Sequence, residues 1–208
     1  FLASSDTTST GNKHCALFYY KKGQANEIIP QNYTKNLPEG WSLNENSDPA
    51  FSKDGKRLFV GIAPWRAPKD TSIVDFEAAR VDVWSYFDYQ IQPQQKKNVE
   101  KMKKKTYLSV ISLDEPSVIT PLTTSMWDQI TPMNEGNSMW ALSQDNTKYF
   151  IPSQWESKST TDVNLVSLKD GSRKNVATAL NSRVQVSPNG KYLLWFNLDD
   201  SQWYCYNV

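Results

Sequence analysis

Three stretches of this chain repeat one short pattern, and that repetition limits the fold more than any other feature of the sequence. Phe51-Ser52-Lys53-Asp54-Gly55-Lys56-Arg57-Leu58-Phe59-Val60 aligns with Leu142-Ser143-Gln144-Asp145-Asn146-Thr147-Lys148-Tyr149-Phe150-Ile151 and with Val186-Ser187-Pro188-Asn189-Gly190-Lys191-Tyr192-Leu193-Leu194-Trp195. Each has an apolar residue, a serine, a turn pair and an apolar strand. Asp54-Gly55, Asp145-Asn146 and Asn189-Gly190 are pairs that tolerate the left-handed backbone of tight hairpin turns. Self-similarity of this kind marks stacked supersecondary units, each unable to bury its own apolar face alone.

A second pattern follows each turn. Tyr107-Leu108-Ser109-Val110-Ile111-Ser112-Leu113, Val163-Asn164-Leu165-Val166-Ser167-Leu168 and Trp203-Tyr204-Cys205-Tyr206-Asn207-Val208 read as the third strand of each unit. The first two pass through Asp114-Glu115-Pro116 and Lys169-Asp170-Gly171 into fourth strands at 117–122 and 172–178. Cys15 to Tyr20, the turn at Lys22-Gly23 and Ala25 to Ile29 repeat the outer hairpin alone. The expected architecture is therefore all-β and β-propeller-like, built from about three four-stranded antiparallel blades that do not close a ring. Residues 13–30 form an outer half-blade, 46–122 a blade with an insertion at 62–105, 137–180 a third and 182–208 an incomplete one. Residues 1–12 are polar and read as a disordered or tethering segment. Blades of an open array leave strand edges that a neighbour must cover, either further chain or a second copy in a homo-oligomer.

Composition excludes several functions. Lys and Arg total 23 against 22 Asp and Glu, so no global field draws nucleic acid or an anionic membrane. No apolar run reaches the roughly 20 residues of a membrane helix. The opening at Phe1 reads as a processed or excised chain, without the charged start and apolar core of a signal peptide. Cys15 and Cys205 both fall in alternating apolar segments, where buried free thiols are common, although a disulfide between them stays open. The sole histidine, His14, has no serine and acid motif placed to use it, and there is no Gly-x-Ser-x-Gly elbow. No metal-ligand spacing or phosphate loop is present, so no cofactor or metal is expected.

The insertion is the most individual part. Ala79 to Tyr86 alternates as a strand would, and Pro93 to Lys105 has the proline-led, Lys- and Gln-rich composition of an exposed helix. Its lysine run, Lys96 to Lys105, could neutralise phosphates, but no arginine and aromatic interleaving accompanies it. It reads as a solvated helix face whose C-terminal lysines suit the helix dipole.

Trp41, Ala63-Pro64 with Pro68-Lys69-Asp70, Val74-Asp75-Phe76-Glu77, Val81-Asp82-Val83-Trp84 and Gln92-Pro93-Gln94-Gln95 together resemble the N-terminal propeller region of Bacteroidetes-type prolyl oligopeptidase family serine peptidases. The Ser-x-Asp-Gly-Lys turn is shared with TolB-like and other WD40-like propellers. The resemblance covers roughly 37–208. It implies an extracytoplasmic bacterial protein, periplasmic or at the cell surface, in which the propeller caps an α/β-hydrolase domain of the same parent chain and filters peptide substrates. The reacting residues of that family lie in the hydrolase domain, so the resemblance implies no catalytic residue in this chain.

Among the eight tryptophans, Trp195 and Trp203 fall on expected strands and read as core. Trp65 and Trp155 lie nearer loop ends and are the better ligand candidates. Trp84 and the glutamines Gln92, Gln94 and Gln95 complete the candidate ligand or partner contacts. The alternative reading is a stand-alone TolB-like envelope module that holds a protein, peptide or glycan.

Overall fold

Short runs rich in Val, Ile, Leu and aromatics, cut by glycine and asparagine turns, commit most of this chain to hairpins. The computed structural model describes residues 2–7, 13–30, 33, 35–65, 72, 74, 81 and 83–208. Among them there are four antiparallel sheets and one α-helix. Sheet one holds β1 (Leu2–Thr7), β2 (Lys13–Lys21) and β3 (Gln24–Ile29). Sheet two holds β4 (Trp41–Leu43), β5 (Ala50–Phe51), β6 (Arg57–Pro64), β7 (Tyr107–Ser112) and β8 (Ile119–Pro121), with β4 and β5 both paired to β6. The helix α1 (Gln92–Lys103) lies in the connection between β6 and β7. Sheet three runs β9 (Asp128–Pro132), β10 (Trp140–Asp145), β11 (Thr161–Ser167), β12 (Arg173–Leu180), and sheet four β13 (Gln185–Val186), β14 (Tyr192–Asn197), β15 (Gln202–Asn207).

The sheets pack face to face in chain order, and the side-chain alternation of the central strands explains how. On β6, Leu58, Val60 and Ile62 meet Cys15, Leu17 and Ile29 of sheet one, while Phe59 points the other way with Val110 to meet Ala141 and Val166 of sheet three. Leu142, Val163 and Leu165 of sheet three then face Leu193 and Trp195 of sheet four. Because sheet two is covered on both faces, its central strand β6 is a continuous buried run: every residue from Leu58 to Ala63 is buried. Each fully buried Val, Leu or Ile contributes about 1.5–3 kcal/mol relative to exposure. The core is thus three layers between four sheets.

The repeated serine has a physical role. Gly55 N–H donates to Ser52 O at 2.9 Å, closing a turn, and Gly55 takes φ 68°, a conformation cheap only for glycine. The Ser52 hydroxyl bonds the Asp54 carboxylate at 2.6 Å and accepts from Arg57 N–H at 3.0 Å. Ser187 repeats this, with its hydroxyl on Asn189 at 2.8 Å and Tyr192 N–H donating to it at 2.9 Å. Serine, acid or amide, and glycine together satisfy the backbone donors that the hairpin leaves open.

Four expectations change. The second of the three aligned stretches is out of register: Leu142 to Asp145 already belong to the strand β10, and residues 146–155 form turns and a 3-10 segment, Pro152–Gln154, instead of a following strand. The turn equivalent to Ser52–Gly55 is Met133–Gly136, where Asn134, Glu135 and Gly136 take φ 50°, 54° and 83°. Sheet three accordingly begins at Asp128, not 137, and sheet two at Trp41, not 46. Residues 2–7, read as a tether, form β1 against β2. Of the strand expected at 79–86, positions 79, 80 and 82 lie outside the described residues, and the described positions, 81 and 83–86, carry no strand. The helix of the insertion is present, starting one residue earlier and ending two residues earlier than read.

Cys15 is buried against sheet two and Cys205 is exposed on β15; both are free thiols. No helix among the described residues is long and apolar enough to cross a membrane.

A candidate ligand cleft beside the inserted helix

The inserted helix carries no buried residue and has no side-chain cap, with Pro93 in its first turn and Lys101 and Lys103 in its last. Polar contacts tie its first half to the segment just before it, and that segment to sheet three. Gln95 Nε2 donates to Asp88 Oδ2 at 3.2 Å and to the Gln90 carbonyl at 2.7 Å, Asn98 reaches the Gln90 side chain, and Gln154 bonds the Tyr89 carbonyl at 2.7 Å. Between the helix and the end of sheet two lies an open space.

That space is a cavity of about 400 Å³ lined on one side by Val99, Met102 and Lys105, and on the other by Ser42, Trp65 and Tyr107. The size lies within the range of small-ligand sites. Trp65 directly follows β6. Its backbone N–H donates to the Gly40 carbonyl at 2.7 Å, and its indole Nε1 donates to Ser42 Oγ at 2.6 Å. Trp65 as a whole is 44% exposed, so it is oriented by the sheet without being buried. Tyr107 packs edge-on against Trp41 at 4.7 Å, and burial raises its phenol above the ordinary value. Glu45 and Lys13 pair with each other at the same cavity.

Lys105 forms the far wall. Its ammonium donates to the Met126 carbonyl and lies 5.5 Å from the centroid of the Trp127 ring, which is stacked on Phe150 at 4.1 Å. Burial pushes the Lys105 ammonium below its usual range, and the neighbouring charge of Lys101 adds to this. A second cavity of about 530 Å³ opens on the other side of Lys105, among Asn98, Lys101, Lys104 and Trp127.

The residues singled out from sequence are not gathered into one place. Trp65 lines the cleft. Trp84 is exposed in the segment before α1, and Trp155 is 76% exposed at the end of the 3-10 segment of sheet three. Gln92 and Gln94 sit at the start of α1, and Gln95 is engaged by Asp88 and Gln90. Trp195 is buried as read, but Trp203 points outward from β15. Sequence reasoning did not single out Lys105, Met102 or Tyr107. The lysine run hides Lys105, which lies two residues past the helix end and turns to Met126 and Trp127.

No family model matches the chain, and no curated protein matches it. A solved structure that resembles it comes from a structural and mechanistic analysis of two prolyl endopeptidases, with 12% sequence identity and a TM-score of 0.40, covering 95% of this chain and 26% of that one. The chain thus spans about a quarter of that neighbour's length.

Proposed function

We propose that this chain is a non-catalytic β-propeller segment of a secreted or periplasmic prolyl oligopeptidase-like serine peptidase, serving as scaffold and substrate-access filter for an α/β-hydrolase domain. The observation that supports this reading is the face-to-face stacking of four antiparallel sheets in chain order, with their turns side by side. Lys53 N–H donates to the Glu135 carbonyl, Asp54 N–H to Asn137 Oδ1 at 2.9 Å, and Arg57 to the Gly136 carbonyl at 3.0 Å, joining the turns of sheets two and three. A Cβ on Gly190 would lie 3.2 Å from Asn134 Cβ, which brings in the turn of sheet four. Turns aligned along one rim are what a radial array of blades requires.

The outward face of sheet four fits the same scheme. By the shared turn, Leu194 corresponds to Phe59, and by pairing register Cys205 corresponds to Val110 and Trp203 to Leu108. Phe59, Val110 and Leu108 are covered by sheet three, whereas Leu194, Cys205 and Trp203 are exposed. A further blade would cover them.

The test is the reading frame and the activity together. Coding sequence that continues past Val208 into a domain with a serine elbow, and a segment that alone fails to hydrolyse prolyl reporter peptides, are the expected results. A stop codon directly after Val208 would overturn the reading.

A second reading, a TolB-like envelope binding module, is favoured by the oriented yet exposed face of Trp65 in the cleft. Binding on a peptide or glycan array that is lost in Trp65→Ala or Trp155→Ala would support it, and silence on both arrays would count against it.

A further inference from the structure

Lys105 is chemically out of balance with its surroundings. Among the described residues it has no carboxylate partner: Glu45, the acid at the same cavity, is taken by Lys13, and the charge felt at Lys105 is that of the cation Lys101, with Lys103 and Lys104 lining the two adjoining cavities. An ammonium has three N–H donors. The Met126 carbonyl accepts from one and the Trp127 ring faces the charge. Both are neutral, so a partly desolvated positive charge is held in place between two cavities.

The wall next to this charge is apolar. Val99, Met102, Pro64, Leu43 and Met126 line the same cavity together with Trp65. Glu45 stands at the same cavity and would repel a multiply charged anion. A single negative charge on an apolar body complements this arrangement, since a charge-assisted hydrogen bond to a desolvated ammonium is stronger than one between neutral groups.

We propose that the cleft between α1 and sheet two binds the carboxyl-terminal end of a short apolar peptide, with Lys105 receiving the terminal carboxylate and Val99, Met102 and Trp65 receiving the last side chain. This goes beyond the scaffold reading and holds whether or not the chain belongs to a peptidase.

The experiment is calorimetric titration of the protein with N-acetyl-Ala-Leu as the free acid, as the C-terminal amide, and with N-acetyl-Ala-Asp-amide. The free acid binds, and both amides bind at least about tenfold more weakly, the loss typical of a charged hydrogen bond. Lys105→Met abolishes the preference for the acid, Lys105→Arg retains it, and Lys97→Met, on the exposed side of α1 outside both cavities, leaves it unchanged. The indole N–H resonance of Trp65, bonded to Ser42, shifts on addition of the acid and not of the amide. Should Lys105→Met fail to fold by circular dichroism, the acid and amide comparison in the native protein decides alone. Equal binding of acid and amide, no binding of either at millimolar concentration, or inorganic phosphate binding more tightly than the peptide acid would overturn the assignment. Equal binding by the aspartyl amide would overturn the assignment to a peptide terminus.

Discussion

Arg173 of β12 and Asp128 of β9 form a 2.5 Å ion pair across the two edges of sheet three, and they do so in the interior: the Asp128 side chain is fully buried and that of Arg173 is 22% exposed. Ser143, on β10, one of the two strands between them, donates to Asp128 at 2.7 Å and accepts from Arg173 at 2.9 Å. Arg173 also donates to the Leu122 carbonyl at 2.6 Å, which ties sheet three to the end of sheet two. A buried pair gains little over an apolar pair of the same shape, but removal of one partner leaves an uncompensated charge. Asp128→Ala and Arg173→Met should therefore each destabilise the protein by about 3–5 kcal/mol. The double variant Asp128→Leu with Arg173→Met should lose less than the sum. Urea denaturation followed by circular dichroism measures all three, and additive losses would show that the charges act independently.

Gly136 sits where a side chain has no room. A Cβ there would meet Phe59 Cε2 at 2.7 Å, and the backbone has φ 83°. Gly136→Ala is expected to cost about 1–3 kcal/mol from backbone strain alone, with a further loss at the contact between sheets two and three. Gly55→Ala has the same backbone handicap but open space around it, so thermal melts of the two variants separate strain from crowding. Equal destabilisation would mean that Phe59 gives way without penalty.

The two faces of sheet four should respond differently to truncation. Leu193 is fully buried against sheet three, and Leu193→Ala should cost about 2–5 kcal/mol. Leu194, its neighbour, is 37% exposed on the outward face, and Leu194→Ala should stay within about 0.5 kcal/mol. Chemical denaturation of the two variants is the measurement. A large loss at Leu194 would show that its face is already covered in solution.

Asp170 supplies a pH test. The hydroxyls of Ser167 and Ser172, with the Ser172 N–H, hold its carboxyl down from 3.8 to about 2. A depressed folded value means that the stabilisation is complete above the ordinary range and is lost as pH falls through about 2. Carboxyl NMR should give a midpoint near 2 for Asp170, rising in Ser167→Ala and Ser172→Ala. A midpoint near 4 in the native protein would mean the turn does not hold the charged form.

Much of the fold is legible in the chain because its cues are local. The apolar runs at Leu58–Ala63 and Val163–Leu168, the serine and glycine turns, and the proline-led helix place the strands β6, β7, β11, β14 and β15 and the helix α1 close to their observed bounds. Ser143-Gln144-Asp145-Asn146 misleads for a physical reason. In letters it matches the turn serine of Ser52, but Ser143 is buried in mid-strand and spends its hydroxyl on Asp128 and Arg173. The true turn at Asn134–Gly136 lacks the serine: the Glu135 and Gly136 carbonyls accept from Lys53 and Arg57 of the preceding sheet, and the turn's amides donate to the Met133 and Asn134 carbonyls within it.

The sequence by itself determined the antiparallel hairpins, the alternation that lets a strand bury both faces, and the helical insertion, because each depends on residues within one or two turns of one another. Only the tertiary structure decided which sheet covers which face, that Asp128 and Arg173 meet, and that Lys105 stands apart from the other lysines of its run. Those outcomes depend on the register of segments tens of residues apart and on the burial that their packing creates, and neither quantity is encoded in any single window of the chain.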